Sequence, residues 1–382
     1  MSDLQLALLL VASLPGLPAD DREQLTRRLL DDGEAAQHTV ANLLTGQPEA
    51  DLGWPDNAGL KAELASGAAR RQAEQHARDC SNAGISLLFR GSADYPAQLK
   101  VMSDAPPVLF VRGNPELLRD PSLRRVAMVG TRKPTSRGNS FAYRSALDLA
   151  AAGAVIVSGL ALGIDATVHR AALAAEGLTV AVLASGVDDL TPRSNASLGE
   201  RIIASGAVVS EKPPGSQVGP WSFPERNRII AGLSDAAVIL EAGYGSGSRH
   251  TADAAREYGR LLLAMPGRPG EQATAGAVEE LRRGECLAFT GADDVLSQLQ
   301  LTAAAGPQLE PELRELARLI DGELPCRLDE LPARLGLSER IPALLGGITL
   351  LKLNGVLEED EAGYLRLTGR FTDGRAGPVH SD

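Results

Sequence analysis

The feature that most limits what this chain can become is an alternation along its middle. Short apolar runs recur at residues 126–129, 155–157, 179–183, 207–210, 237–240 and 261–265, with Ala-rich helical stretches between most of them. Runs this short do not make core helices, and their unbroken apolarity marks strands covered on both faces. Strand and helix in alternation close as a parallel sheet between two helical layers. The predicted class is therefore α/β, an extended Rossmann-like and mostly parallel sheet. Two further β-type runs, 85–89 and 108–111, precede the first of these.

The flanks differ in kind. Residues 1–75 place Leu and Ala at helical spacing and are broken at Pro15-Gly16, Gly46-Gln47-Pro48 and Trp54-Pro55. Without a strand pattern, they predict a small helical domain of the sterile-alpha-motif kind. The α/β core is expected over 80–300 and a small-residue linker over 301–311. A winged-helix unit is expected over 312–370, with helices at 311–320, 328–335 and 338–353 and two short strands within 355–367 around the acidic turn Glu359-Asp360-Glu361. The polar tail 371–382 is expected to be disordered. A composition of 44% hydrophobic and 3% aromatic residues supplies one good-sized core plus small flanking units.

The apolar run from Leu4 to Leu14 follows Asp3 rather than a basic segment and is too short to span a bilayer. It reads as an amphipathic helix, and the chain as cytoplasmic with no membrane contact. Cys80, Cys286 and Cys326 lie far apart with no CxxC pair, which predicts neither a disulfide framework nor a metal site.

A net charge of −11 argues at first against a polyanionic partner. Its distribution reverses that argument. Residues 1–80 carry 7 basic and 13 acidic side chains, residues 310–367 carry 7 and 12, and these two ends account for the whole excess. Residues 121–140 hold five basic side chains and no acidic one. A local cationic patch thus survives an acidic total.

Four segments at strand ends carry chemistry. The first βα junction runs from Val129 into Gly130-Thr131-Arg132-Lys133, where backbone N–H groups and two cations are placed for an anion at a helix N-terminus. It lacks both GxGxxG and the Walker pattern, so neither a nicotinamide cofactor nor ATP is predicted. The second is Ser158-Gly159-Leu160-Ala161-Leu162-Gly163-Ile164-Asp165, with His169 one turn on. Asp165 and His169, without a nucleophile beside them, read as structural. The third, 210–232, places Lys212, Arg226 and Arg228 around Trp221 and Phe223, with Pro213, Pro214, Pro220 and Pro224 predicting a rigid extended course. Cations to follow a phosphate backbone and aromatics to stack on bases are the two parts of a single-strand groove. The fourth, Glu241 to Thr251, brings Ser246, Gly247 and Arg249 to another helix N-terminus, where Glu241 is expected to hold a basic loop by ion pairing.

Taken together, Gly130-Thr131-Arg132, the SGLALGID run at 158–165 with His169, the FPERNRIIAGLS run at 223–234, and EAGYGSGS followed by Met265-Pro266-Gly267 resemble the DprA/Smf (DNA-processing protein A) family in order and spacing. The resemblance extends back through Tyr95-Pro96, Pro106-Pro107 and Val111-Arg112-Gly113-Asn114 and covers about residues 80–298. It implies a homodimer formed through the Rossmann core that binds single-stranded DNA without being an enzyme. It also implies help in loading the RecA recombinase during natural transformation and recombination. Carried over by motif, the arginine of G-[ST]-R is Arg132, and the basic residue of YPxxN falls at Arg193, within Thr191-Pro192-Arg193-Ser194-Asn195, where the aromatic is missing. SGSR at 246–249 departs from the family's SGSL and adds a cation.

The predicted nucleic-acid contacts are Gly130, Arg132, Lys133, Arg193, Lys212, Trp221, Phe223, Arg226, Asn227, Arg228, Ser246, Gly247 and Arg249. No catalytic residue and no cofactor are predicted. In the winged-helix unit, the helix expected at 338–353 offers only Arg340 and Lys352 beside an acidic wing, which predicts protein contact or regulation rather than groove readout. Two other functions compete. The core also resembles nucleotide-processing phosphoribohydrolases, whose PGGxGT loop EAGYGSGS only approaches. A regulator that senses a nucleotide in the core and binds duplex through the winged helix is the other.

Overall fold

The computed structural model describes residues 1–14, 17–31, 34–46, 58–216, 218–219, 221–268, 270–302, 311–324, 326–337, 341–353, 356–359 and 363–367. Helices α1 (Asp3–Ser13), α2 (Ala19–Leu30), α3 (Glu34–Thr45), α4 (Ala58–Ala65) and α5 (Ala68–Asn82) come first. A reciprocal cap starts α1: Ser2 Oγ accepts from Gln5 N, and the Gln5 side chain accepts from Ser2 N. Leu6 through Ala12 are all buried, so α1 is a core helix and not the amphipathic one expected. Its leucines share one apolar core with Val108, Phe110, Leu183 and Val208 of the sheet. The last helix of this group runs to Asn82, past the boundary expected at residue 75.

The middle of the chain runs β1 (Ser86–Phe89), α6 (Ala97–Lys100), β2 (Val108–Gly113), α7 (Glu116–Arg119), β3 (Arg125–Val129), α8 (Ser136–Ala151), β4 (Val155–Ser158) and α9 (Ile164–Ala174). It continues β5 (Thr179–Val182), α10 (Ala196–Ser205), β6 (Ala207–Ser210), α11 (Ser222–Gly232), β7 (Ala236–Ile239) and α12 (Ser248–Glu257). It closes with β8 (Leu261–Ala264), α13 (Ala275–Arg282), β9 (Leu287–Ala288) and α14 (Ala292–Leu299). Each apolar run read from the sequence is a strand. Their order across the nine-stranded sheet is β1-β2-β6-β5-β4-β3-β7-β8-β9. From β6 to β9 every pairing is parallel, and β1 and β2 add an antiparallel edge.

Side chains alternate across the sheet as the strand period requires. Ala127, Val129, Val155 and Val157 enter the core on one face, while Val126, Met128 and Ile156 enter the core on the other. Both faces are dry because helices cover both, which is why these strands read as continuous apolar runs.

The C-terminal part holds α15 (Pro311–Glu323), β10 (Cys326–Arg327), α16 (Leu331–Arg334), α17 (Ile341–Leu353), β11 (Leu357–Glu359) and β12 (Tyr364–Leu367). Its antiparallel sheet has the order β10-β12-β11, over a core of its own that includes Ala317, Ile320, Leu344, Ile348, Leu351 and Leu365. Arg340, Asp360 and Glu361 of the expected recognition helix and wing, most of the expected linker and the whole tail 371–382 lie outside the described residues. Cys80, Cys286 and Cys326 are free thiols. Among the described residues no helix is long and apolar enough to cross a membrane.

Candidate nucleic-acid interface

From β3 the chain winds outward through β4, β5 and β6, then crosses back to place β7 on the other side of β3. The strand order reverses between β3 and β7, and the loops leaving these two strands diverge there. They enclose a cavity of about 960 Å³. Gly130, Thr131 and Arg132 line it from the loop after β3, Ala161 from the loop after β4, Asp165 from the first turn of α9, and Phe223, Arg226 and Asn227 from α11. Tyr244, Ser246 and Gly247 line it from the loop after β7, and Ser248 and His250 from the first turn of α12.

Close backbone approach builds this edge. Gly163 has φ +78°, and a Cβ on it would run into the carbonyl of Thr131 and the backbone of Arg132. Ile164 N–H donates to Thr131 O at 3.2 Å, and Thr131 N–H donates to Glu241 O at 2.6 Å, so the Arg132 loop is held from both neighbours. Asn195 is buried and donates to the carbonyls of Leu160 (2.9 Å) and Ala161 (3.2 Å), which ties the Arg193 turn to the loop after β4.

The rim carries the free cations. Arg132 is exposed, with its guanidinium 5.0 Å from the centre of the Phe223 ring. Lys133 and Arg193 are exposed as well, and among the described residues none of the three makes an ion pair. Arg193 adjoins Pro192, which lines a smaller neighbouring cavity of about 100 Å³ together with Arg132, Phe223 and Arg226. Trp221, just ahead of α11, is 78% exposed, and Tyr244 66%. Trp221 therefore does not pin its loop to the core.

Several expected contacts are placed otherwise. The 210–232 stretch is not extended, because α11 begins at Ser222 and includes Phe223 and Pro224. Pro224 falls in the first turn, whose N–H groups have no intrahelical acceptor, so the helix loses nothing by it. Arg226 is buried beneath the groove: it donates to Gly159 O at 2.6 Å and to Val182 O, and its Nε donates to Asn227 Oδ1 at 3.0 Å. It is a staple between α11 and the ends of β4 and β5. Burial pulls its pKa down to about 10 against the opposing charge of Asp165, whose own pKa burial raises and Arg226 holds back.

Arg228, two residues on and so on the opposite side of the helix, pairs with Glu211 (2.5 Å) and Asp104 (3.3 Å) away from the groove. Lys212 pairs with Glu225 at 3.0 Å, and Arg249 turns to the buried Glu280 at 3.6 Å. None of these three lines the cavity. Glu241 makes no ion pair among the described residues either; it accepts from Thr135 N and Oγ1.

Asn227 is a positioning group. Its Nδ2 donates to Gly247 O at 3.0 Å while its Oδ1 holds Arg226, which couples α11 to the loop after β7. Tyr244, Thr131 and His250 line the cavity but are not among the contacts predicted from the sequence. For Tyr244 the signal was present: an aromatic inside a glycine-rich strand end, in a chain with five Tyr. Asp165 and His169, read from the sequence as structural, are both buried. The neutral His169 ring donates from Nδ1 to Thr179 Oγ1 at 2.7 Å, because that hydroxyl itself donates to Ile156 O. Burial, then the charges of Arg226 and Arg170, push its pKa down to about 3.

Residues 86–300 match the family model described as DNA recombination-mediator protein A. The DNA processing protein DprA of Bacillus subtilis is 37% identical over 216 residues, which is 56% of this chain and 72% of that protein. Protein Smf of Escherichia coli is 34% identical over 292 residues, 74% of this chain and 77% of that one. Among solved structures, DNA processing protein A from Streptococcus pneumoniae superposes with a TM-score of 0.65 at 30% identity, covering 78% of this chain and 98% of that chain. DNA processing protein A from Helicobacter pylori, described for its single-stranded DNA binding mode, gives 0.51 at 30% identity over 56% of this chain and 95% of that one. A match across residues 86–300, more than half the chain, places this chain in the DNA recombination-mediator protein A family.

Proposed function

We propose that this chain binds single-stranded DNA along the groove at the β3/β7 switch point. The reading rests above all on one observation: Arg132, Lys133 and Arg193 are exposed and without carboxylate partners among the described residues, Arg132 on a glycine-lined cavity that Phe223 and Tyr244 also line, with Trp221 exposed just ahead of α11. Unpaired cations track a phosphate backbone, and aromatic faces accept unpaired bases of any identity. In keeping with the family, the bound strand is incoming DNA in natural transformation and recombination. The chain protects it and helps load the RecA recombinase, acting as a homodimer through the Rossmann core in the cytoplasm.

Binding rather than catalysis is the favoured role. Glu241, the nearest counterpart of a hydrolytic carboxylate, gives both oxygens to Thr135 and does not line the cavity. Labelled oligo-dT titrated at two salt concentrations, with unlabelled duplex as competitor, tests the reading. Tight binding that weakens with salt and resists duplex is expected. Equal competition by duplex, or release of free base from nucleoside monophosphates, would overturn it.

A further inference from the structure

Glu241 follows β7 yet serves a helix that belongs to β3. Its side chain is 1% exposed and makes no ion pair among the described residues. One carboxylate oxygen accepts Thr135 N–H at 2.7 Å and the other accepts the Thr135 hydroxyl, at the N-terminus of α8. Thr135 Oγ1 in turn accepts Gly138 N–H at 3.0 Å. A helix N-terminus carries about half a positive charge, which makes a buried carboxylate without a counter-cation tolerable. Gly138 has no side chain because a Cβ there would run into this carboxylate.

In doubly wound sheets this same place, ahead of the helix that follows the first strand of the switch point, receives the pyrophosphate of a bound dinucleotide. Here an anion of the chain's own already fills it. The main chain of Glu241 meanwhile accepts Thr131 N–H at 2.6 Å. A single residue thus fixes both ends of the 131–135 segment that carries Arg132 and Lys133.

We propose that Glu241 is a positioning residue of the groove: its carboxylate stands in for a ligand phosphate at α8, holds the Arg132-Lys133 loop with both cations outward, and closes that helix to free phosphates. The positioning half rests on the single-strand reading above; the occupancy half does not.

The test uses the full chain with Glu241→Ala and Glu241→Gln. Melting is followed in chloride, formate or inorganic phosphate, and oligo-dT binding in chloride or formate, at matched ionic strength. The wild type is expected to melt alike in all three salts. In chloride, Glu241→Ala is expected to bind oligo-dT about tenfold more weakly, as a loop holding its competent shape about a tenth of the time would. Formate or phosphate should raise its melting temperature, and formate should recover most of the lost affinity. Glu241→Gln, which keeps the shape without the charge, should lose less.

Full affinity in Glu241→Ala, or a loss that no anion recovers and that Glu241→Gln shares in full, overturns the proposal. Should Glu241→Ala fail to fold in chloride, Thr135→Val removes only the hydroxyl partner. Weaker oligo-dT binding by a folded Thr135→Val chain is then expected, and unchanged binding overturns the proposal. A wild type that ignores oligo-dT removes the single-strand reading alone, since the anion response of the Glu241→Ala melt still decides what fills α8.

Discussion

The floor and the rim of the groove use the same kinds of residue for opposite ends. On the floor, Arg226 spends its guanidinium on the carbonyls of Gly159 and Val182, Asp165 lies beside it, and His169 is sealed against Thr179. On the rim, Arg132, Lys133 and Arg193 have no such partners among the described residues. A cation is available to a phosphate only if the fold has not already neutralised it, so the difference between the two layers separates stability from binding. The two layers also meet in one residue, since Asn227 touches both Arg226 and the loop after β7.

The comparison breaks most visibly at Arg226. Arg226→Ala is expected to cost about 3 kcal/mol of folding stability, because it leaves the buried carbonyls of Gly159 and Val182 unpaired and removes the positive charge that favours ionised Asp165. Denaturant unfolding measures it. If Arg226→Ala unfolded like the wild type and lost only DNA affinity, Arg226 would belong to the rim.

The next largest effect is on pH. Unfolded His169 takes a proton below about pH 6.5, whereas in the fold it stays neutral down to about 3. The unfolded chain therefore binds more protons across that window, and stability falls as pH drops from 6.5 toward 3, by about 2 kcal/mol at pH 5. His169→Phe cannot titrate, and its stability curve should be flatter over that range than the wild type's. Parallel curves would mean that the ring is not held neutral.

On the rim the order of effects inverts. Arg132→Ala should leave unfolding unchanged and weaken oligo-dT binding about tenfold, with the salt slope reduced by about 0.7 for one lost phosphate contact on a single strand. An unchanged slope would show that Arg132 does not meet phosphate. Trp221→Ala should cost about 1 kcal/mol of affinity, the lower end for a stacked base, without altering the slope. No loss of affinity would leave its exposure without a role in binding.

The sheet was legible in the sequence because strands buried on both faces announce themselves as flush apolar runs, and the groove because glycines cluster where those strands end. Fates of individual charges were not legible. Lys212, Arg228 and Arg249 are as basic in the sequence as Arg132, but Glu225, Glu211 and Glu280 reach them only through tertiary packing. Nor does any local pattern reveal that Glu241 reaches across to α8, or that Pro224 sits in a first helical turn instead of an extended loop. Burial of α1 on all sides was hidden for a related reason: periodicity shows which residues are apolar, and only the neighbouring elements decide how many faces they cover.

Lys212 gives the smallest predicted effect and the sharpest control. It lies in the same segment as Trp221, carries the same charge as Lys133, and by sequence alone belongs to the groove. Its Nζ sits 3.0 Å from Glu225, with both side chains partly exposed, and such a pair is worth well under 1 kcal/mol to folding. Replacing it removes a charge that its neighbour already cancels, so Lys212→Ala should leave both unfolding and oligo-dT affinity within about twofold of the wild type. Glu225→Ala then becomes the informative partner. It frees Lys212 without adding a cation, and if pairing is what separates floor from rim, oligo-dT affinity and the salt slope should both rise slightly. A large loss in Lys212→Ala, comparable with that of Arg132→Ala, would mean that strand binding breaks the ion pair and that the static pairing of charges does not define this interface.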